Sequence, residues 1–531
     1  MAYDIPSPCD LLVIGTGLTE SIVASAASRI GKQVVHVDHR NFYGSNWATF
    51  SFNNLQNILG SKSLNKDSTK TVEETQNLNI NLNSNTICNI VEKWYLPDED
   101  VQGNIDNQKN LEETINKVPK ETLTKSEILR DSRKFNFDLS PKLLYSRGEM
   151  VDVLITSGIC RYAEFKNVSG IYTVDNVKRT LLSVPCSRAD IFNSKDITMI
   201  EKRLLMKMLS MCVECETKPE ELKEDEMGNF GNFLNAHKIQ GKVKKYLIDA
   251  VAMATDSTNF HDAVKNIQKF VRSIGRYGNT PFLWTLYGSG ELPQCFCRCS
   301  AVFGGVYCLN HSTQTIVIGS DGQATGIVSD NQNLKAKFIL IEDCLNPVAT
   351  IKSGISRAIL VTNKALTSDQ AALITFPSVN SKDPVRILEL SASTMVCPQG
   401  FYVVHLITHQ VTTAVEDLKE AIDTFFTVFE SNKNEALNKP QIIWSLHFNI
   451  NEYNSPAGML PSNVYSSPGP NSSIDFDDHV IQARNIFKSM FPDEDFLPRV
   501  PDPEDIILEG SLEDVLEESK ENHKEAQNIH E

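Results

Sequence analysis

Apolar positions along this chain change their period three times, and each change marks a different kind of element. Cys9-Asp10-Leu11-Leu12-Val13-Ile14 is a short, nearly unbroken apolar run, the pattern of a strand buried on both faces. It ends in Gly15-Thr16-Gly17, and Leu18 to Ile30 follows, rich in Ala and Ser and thin enough to lie as a helix close against a sheet. A second run, Val34-Val35-His36-Val37, ends in Asp38 and completes a strand, helix, strand unit. From Gly60 to about Arg133 the residues turn to Asn, Lys, Thr, Ser and Glu with little apolar periodicity. That stretch predicts a long surface insertion, mostly loop, with Ile90 to Leu96 as a short anchored piece. Order resumes at Phe135 to Tyr145.

Between Val184 and Tyr277 the period becomes helical. Ile197, Ile200, Leu204, Leu205, Met208, Leu209 and Cys212 recur at steps of three and four and predict one apolar helix face, with Ser187 or Ser194 capping the start of the region. Lys242 to Ala254 predicts another helix, with Tyr246, Leu247, Ala250, Val251 and Met253 inward. After Gly305 strands return. Thr315 to Ile318 and Ala324 to Val328 flank the hairpin signal Asp321-Gly322, and Phe338 to Ile341, Val385 to Leu390, Phe401 to Ile407 and Ile442 to Phe448 follow, with a helix at Val415 to Phe429. The expected organisation is a discontinuous α/β domain (1–59, 134–185 and 276–510), a surface insertion (60–133), an inserted all-helical domain (186–275) and an acidic, disordered tail (511–531).

Composition narrows the class. With 531 residues, 41% apolar and 22% charged, the chain reads as a globular protein of more than one domain. No apolar run reaches the roughly 18 to 20 residues of a spanning helix, and Met1 to Asp10 lacks a secretory pattern, so the cytosol is the expected compartment. The twelve cysteines are scattered and read as reduced thiols. Cys295, Cys297 and Cys299 form the nearest cluster, but positions two apart on a helix point about 200° apart, so only Cys295 and Cys299 share a face and no metal is expected. A net charge of -16 argues against nucleic acid. Much of it is local: Asp502 to Glu531 carries 11 acidic and 2 basic residues, a net of -9, and reads as a solvated tail.

Gly15-Thr16-Gly17-Leu18-Thr19-Glu20 approaches the GxGxxG dinucleotide fingerprint, and Asp38, 23 residues after Gly15, stands where a ribose-binding acid belongs. The sixth position breaks the pattern. Gly or Ala there lets helix and strand pack closely around a pyrophosphate, whereas Glu20 adds bulk and, if ionised, a charge that repels the ligand by about 4 kcal/mol at about 4 Å. A flavin oxidoreductase stands as an alternative; a plain tight turn at Gly15 and Gly17 is the reading favoured by the residues. His36 sits in an apolar run and reads as a core histidine. No GxSxG, P-loop or HExxH motif is present, which points toward binding rather than catalysis.

Three blocks in order carry a resemblance. They are Asp10 to Glu20 continuing to Asn41-Phe42-Tyr43-Gly44; Asp138 to Phe165 with Tyr145-Ser146-Arg147-Gly148; and Arg276-Tyr277-Gly278-Asn279-Thr280-Pro281 through Tyr287-Gly288-Ser289-Gly290-Glu291-Leu292-Pro293-Gln294 to Phe303-Gly304-Gly305. Together they resemble the Rab escort protein and Rab GDP-dissociation inhibitor family over nearly the whole chain apart from the insertion and tail. The long insertion, Cys295-Phe296-Cys297-Arg298, Val184 to Asp190 and Pro501 to Leu508 favour the escort branch, with the inhibitor branch as the alternative. The resemblance implies an α/β fold of flavin-monooxygenase type, a degenerate Rossmann unit in a multi-sheet domain, that no longer holds flavin.

It further implies partners: GDP-bound Rab GTPases, the alpha/beta heterodimer of Rab geranylgeranyltransferase, the isoprenoid lipid of the bound Rab as cargo, and a membrane at delivery. The Rab platform would fall on Tyr43, Glu291 and Arg298, with Val306 and Cys308, which differ from the Thr and Met of the inhibitor branch, at its edge. Arg276 and the loop to Gly290 would match a mobile, Rab-facing segment, and Phe270 an anchor for the transferase. On the residues alone, other roles stay open: Tyr43 as a cap on the first unit, Glu291 with Arg298 as a structural pair, and Phe270 as core. The chain's own end, Gln527 to Glu531, is no prenylation box.

Overall fold

A computed structural model describes residues 5–62, 77–80, 82, 86–96, 123–175, 177–214, 228–330, 332–377, 383–429, 439–456 and 458–499. Pro501 to Leu508, the acidic tail and most of the insertion lie outside the described residues. The first unit forms as its pattern dictates. Strand β1 (Cys9–Ile14) pairs in parallel with β2 (Val34–Val37) on one side and with Gln332–Glu342 on the other, at the middle of an eight-stranded sheet. A strand buried on both faces has no polar side to show, and Leu11, Leu12 and Val13 are fully buried. Helix α1 (Leu18–Arg29) owes its small residues to close neighbours: Ser28 Oγ lies 2.8 Å from Ser300 Oγ, and Ser21 Oγ lies 3.2 Å from Cys297 Sγ. Ala24, Ala26 and Ala27 are fully buried, so any longer side chain there would overpack the core.

The second sheet has nine strands and is built on the long antiparallel pair Thr350–Thr362 and Gln441–Asn454. The hairpin at Asp321-Gly322 and the expected strands around Phe338, Val385, Phe401 and Ile442 are present. The helix expected over Val415 to Phe429 is shorter. It resolves into Ala414–Asp417 and Lys419–Phe425, after which Thr427 and Val428 pair in parallel with Gln441 and Ile442 as β-branched residues of a short strand. The stretch read as loop also contributes more than an anchor: Ile87–Trp94 is an eight-residue strand, antiparallel to Gln441–Asn454, and it sets Trp94 opposite Trp444. Phe52, Phe137 and Trp444 close the core there, with ring centroids 4.6 and 5.2 Å from Trp444.

Helices follow at Arg188–Asn193, Met199–Glu214, Phe230–Ala236, Gly241–Lys245 and Phe260–Ser273. Ser187 caps the first of these in a reciprocal box with Asp190, whereas Ser194 closes its C-terminal end. Ser187→Ala should therefore cost about 1 kcal/mol in urea unfolding, and an unchanged midpoint would remove the cap from the account. Of the face expected from Ile197 to Cys212, Ile197, Leu205, Met208 and Cys212 are buried and Leu209 packs partly buried against the same core, but Ile200 is 71% exposed. The reason is where the helix is met, at its C-terminal end, where Gln268 Nε2 donates to Cys212 O. Lys242 to Ala254 is helical only to Val251, and its second half, Tyr246–Val251, is wound as a π-helix with Tyr246, Leu247, Ala250 and Val251 buried.

Lys142 is a buried lysine. Its Nζ donates to Asn471 Oδ1 at 2.7 Å and to the carbonyls of Asn471 and Ser473. Burial drives its pKa down to about 7, against smaller upward pulls from Asp475 and Asp478. The unfolded chain keeps a proton that the folded chain releases, so stability should rise with pH between about 7 and the ordinary lysine value of 10.5. Comparing urea unfolding of Lys142→Met with the parent chain at pH 7 and pH 9 checks this; an unaltered slope would assign the rise elsewhere.

Candidate protein-docking site

The glycine turn is closed by the chain's own side chains. Gly15 sits at φ 104°, which only glycine adopts easily, and the Thr16 amide and hydroxyl both donate to Asp38 Oδ2, at 2.9 and 2.7 Å. Asp38 also accepts from the Arg40 amide, so its carboxylate is spent on local contacts rather than turned to a ribose. Glu342, at the end of the strand beside β1, accepts from Ser45 Oγ and Asn46 Nδ2 and pairs with Arg40 Nη1 at 2.8 Å. A Cβ placed on Gly15 would lie 2.9 Å from Glu342 Cβ and Oε2, so this side chain occupies the approach a pyrophosphate would need.

Glu20 fills the other side of the turn, where its Oε2 lies 2.5 Å from a Cβ placed on Gly17 and its Oε1 accepts from Ser467 Oγ. Burial, and then the neighbouring Glu342, hold the Glu20 carboxyl well above the usual range. Glu20 thus obstructs the turn by its bulk and by an internal hydrogen bond. A flavin dinucleotide does not fit this turn. His36 is a core residue, its Nε2 bonded to Gly15 O and its pKa pushed down to about 4 by burial.

Beside the turn, the helix Glu291–Val302 begins where Ser289 N and Gly290 N donate to Asp138 Oδ1 at 2.9 and 3.4 Å. Glu291 and Arg298 are two turns apart and share a face. Together with Tyr43, Tyr162, Cys297 and Tyr307 they line a cavity of about 320 Å³. Tyr43 stands edge-on to Tyr307 with ring centroids 5.9 Å apart, and Tyr307 in turn lies 4.8 Å from the His36 ring. Val306 and Cys308 flank Tyr307 on the half-buried strand Val306–Cys308, which pairs in parallel with β2 at the sheet margin. No ion pair joins Glu291 to Arg298 among the described residues; instead the Arg298 guanidinium lies over the Tyr162 ring, 4.6 Å from its centroid. Burial raises the Glu291 carboxyl pKa. The structure therefore gathers Tyr43, Glu291 and Arg298 at one concavity with both charged groups uncommitted to each other, and the structural-pair alternative is set aside.

Two other sequence-derived residues lie apart from this cavity. Arg276 Nη1 donates to Ser146 O at 2.8 Å and reaches Asp152 Oδ1 at 3.4 Å, on the rim of the helical region. Phe270 is 2% exposed and packs edge-on against Phe282, a buried ring in the free chain. Sequence reasoning missed Tyr162 and Tyr307. Tyr307 carried a weak signal as the residue between Val306 and Cys308; Tyr162 carried none. The described residues contain no cluster that could hold a metal, and burial lifts the Cys295 and Cys297 thiols to about 11 and 12, away from nucleophilic thiolates.

Known proteins place this architecture. A family model described as GDP dissociation inhibitor matches residues 6–90 and 97–493. The chain is 37% identical to Rab proteins geranylgeranyltransferase component A 1 of Rattus norvegicus, over 98% of this chain and 96% of that protein. Among solved structures, a Rab GDI of Plasmodium falciparum superposes with a TM-score of 0.67 at 17% identity, covering 92% of this chain and 98% of that one. An oxidoreductase of Methanosarcina mazei superposes at 0.52 with 11% identity, covering 90% and 100%, a likeness of fold alone. With its filled nucleotide turn and a family match that runs through both the turn and the candidate docking helix Glu291–Val302, the chain belongs to the GDP dissociation inhibitor family, among the relatives of geranylgeranyltransferase component A.

Proposed function

We propose that this chain is a non-catalytic accessory subunit of Rab prenylation. It binds newly made, GDP-bound Rab GTPases on the face formed by Tyr43, Glu291 and Arg298, with Val306 and Cys308 at the margin and Arg276 on a neighbouring loop. It presents them to the alpha/beta heterodimer of Rab geranylgeranyltransferase in the cytosol, then carries the product to a membrane. The observation that supports this most directly is the pair Glu291 and Arg298, two turns apart, facing a concavity and not bonded to each other, beside a nucleotide turn filled by the chain's own carboxylates. Aromatic and Arg side chains are favoured interface anchors, and an unpaired carboxyl and guanidinium can each form charge-assisted bonds with a partner.

The lipid gives the carrier its physical purpose. A geranylgeranyl chain of about 20 carbons costs on the order of 10 kcal/mol or more in water at about 0.8 kcal/mol per methylene, and the helical region is the proposed place to shelter it. None of the described helices is long and apolar enough to cross a membrane. With Phe270 buried, the large apolar side chains left exposed among the described residues of the helical region are the proposed anchors for the transferase: Phe192, Met199 and Ile200 are 72%, 59% and 71% exposed. Phe192→Asp with Ile200→Asp should weaken transferase association at least about tenfold while leaving Rab binding intact; a full-strength ternary complex would exclude this corner.

The deciding experiment mixes the purified chain, a GDP-bound Rab, the transferase and labelled geranylgeranyl diphosphate. Lipid incorporation that depends on the chain supports the accessory role, whereas Rab extraction from membranes without any such incorporation favours a recycling GDP-dissociation inhibitor. A stoichiometric chromophore near 450 nm would overturn both readings in favour of a flavin oxidoreductase.

A further inference from the structure

Arg298 is an exposed side chain with many rotamers, and free rotation would blur the direction in which its N–H groups point. In this structure it is not free. The guanidinium lies over the ring of Tyr162 at 4.6 Å from the centroid, close enough for attraction between cation and ring face. Tyr162 is itself well founded. It follows the single turn Ile159–Arg161, whose Ile159 is fully buried, and its own amide donates to Ile159 O at 2.9 Å. The turn starts at Gly158, where a φ of 71° brings the chain back toward the docking helix. The backbone of Tyr162 is thereby fixed by the core while its ring, 46% exposed, stands at the mouth of the cavity that Glu291, Arg298 and Tyr43 line.

We infer that Tyr162 is a positioning residue for Arg298: its ring holds the guanidinium at the cavity so that the N–H fork is presented to a carboxylate on the bound GTPase. A guanidinium stacked on an aromatic face keeps its in-plane donors available, and those donors match a carboxylate two at a time. The role needs a ring face and not a hydroxyl, and no hydrogen bond of the Tyr162 hydroxyl enters it. This inference rests on the Rab-binding reading above.

The test is a set of affinities of the full chain for a GDP-bound Rab. Tyr162→Ala should weaken binding about three- to tenfold, as expected for loss of a partly exposed cation–ring contact. Tyr162→Phe should stay within about twofold of the parent chain, and Tyr162→Leu, which keeps bulk without a ring, should behave like the alanine variant. In an Arg298→Ala background, Tyr162→Ala should have no further effect, because the group it positions is gone. A purely structural Tyr162 would instead lower the unfolding midpoint and weaken binding equally with or without Arg298, and that additive outcome overturns the inference. So does parent affinity in Tyr162→Ala, or a phenylalanine variant as weak as the alanine one. Parent-chain binding with no Tyr162 effect sinks this inference alone; no binding of any Rab by the parent chain sinks the Rab-binding reading along with it.

Discussion

Reversing both charges on the docking helix, Glu291→Lys with Arg298→Glu, should lower affinity for a GDP-bound Rab by at least about a hundredfold, or about 2.8 kcal/mol. The two groups sit at the cavity mouth without pairing to each other, so each is available to a partner charge of the opposite sign. Swapping their signs replaces two attractions with two repulsions, and like charges brought together at an interface cost several kcal/mol. The single change Arg298→Ala removes one attraction and should cost about tenfold. None of this should unfold the chain, because Arg298 is exposed and Glu291 is only half-buried. Prenyl incorporation into Rab should fall with the binding. Isothermal titration alongside circular dichroism checks both halves: undiminished affinity in a folded double variant would move the platform off this helix altogether.

The second large effect is one of stability. Arg40 has a side chain 13% exposed and lies between the carboxylates of Asp38 and Glu342, whose side chains are 0% and 3% exposed, with Glu20 also buried at the same turn. Arg40→Met keeps much of the bulk and deletes the guanidinium that the two buried acids share, leaving Asp38 with Thr16, the backbone and His39 and Glu342 with Ser45 and Asn46. Breaking such a pair from one side costs about 3–5 kcal/mol, because the orphaned carboxylate cannot return to water. Urea unfolding should show this deficit, and adding Glu342→Gln should return part of it. A deficit below about 1 kcal/mol would mean that water or relaxation solvates the acids and that the turn is not sealed as described.

Both outcomes depend on residues that lie far apart in the chain, and this sets what was legible beforehand. The first strand, helix and strand could be read directly, because an unbroken apolar run and a run of Ala and Ser each express a requirement met within the element itself. Glu20 could be read as an obstacle for the same reason: it stands on the turn it obstructs. Glu342 could not, because it reaches Gly15 only through the parallel pairing of Gln332–Glu342 with β1, more than 300 residues along the chain. The strand Ile87–Trp94 escaped because only Ile87 is buried within it, so its apolar positions do not alternate; its place comes from backbone pairing with Gln441–Asn454.

By itself, then, the amino-acid order determined the element types near the start of the chain, the helical stretch in the middle and the absence of a catalytic motif, while its resemblance to a known family marked Tyr43, Glu291 and Arg298 as residues to watch. Tertiary structure alone decided that Glu291 and Arg298 do not pair, that Phe270 is core, that Ile200 is exposed, and that Tyr162 lies beneath the Arg298 guanidinium. The division has one physical cause. Periodicity records which face of an element must leave water, whereas the identity of the neighbour it meets there is fixed only when distant segments pack together.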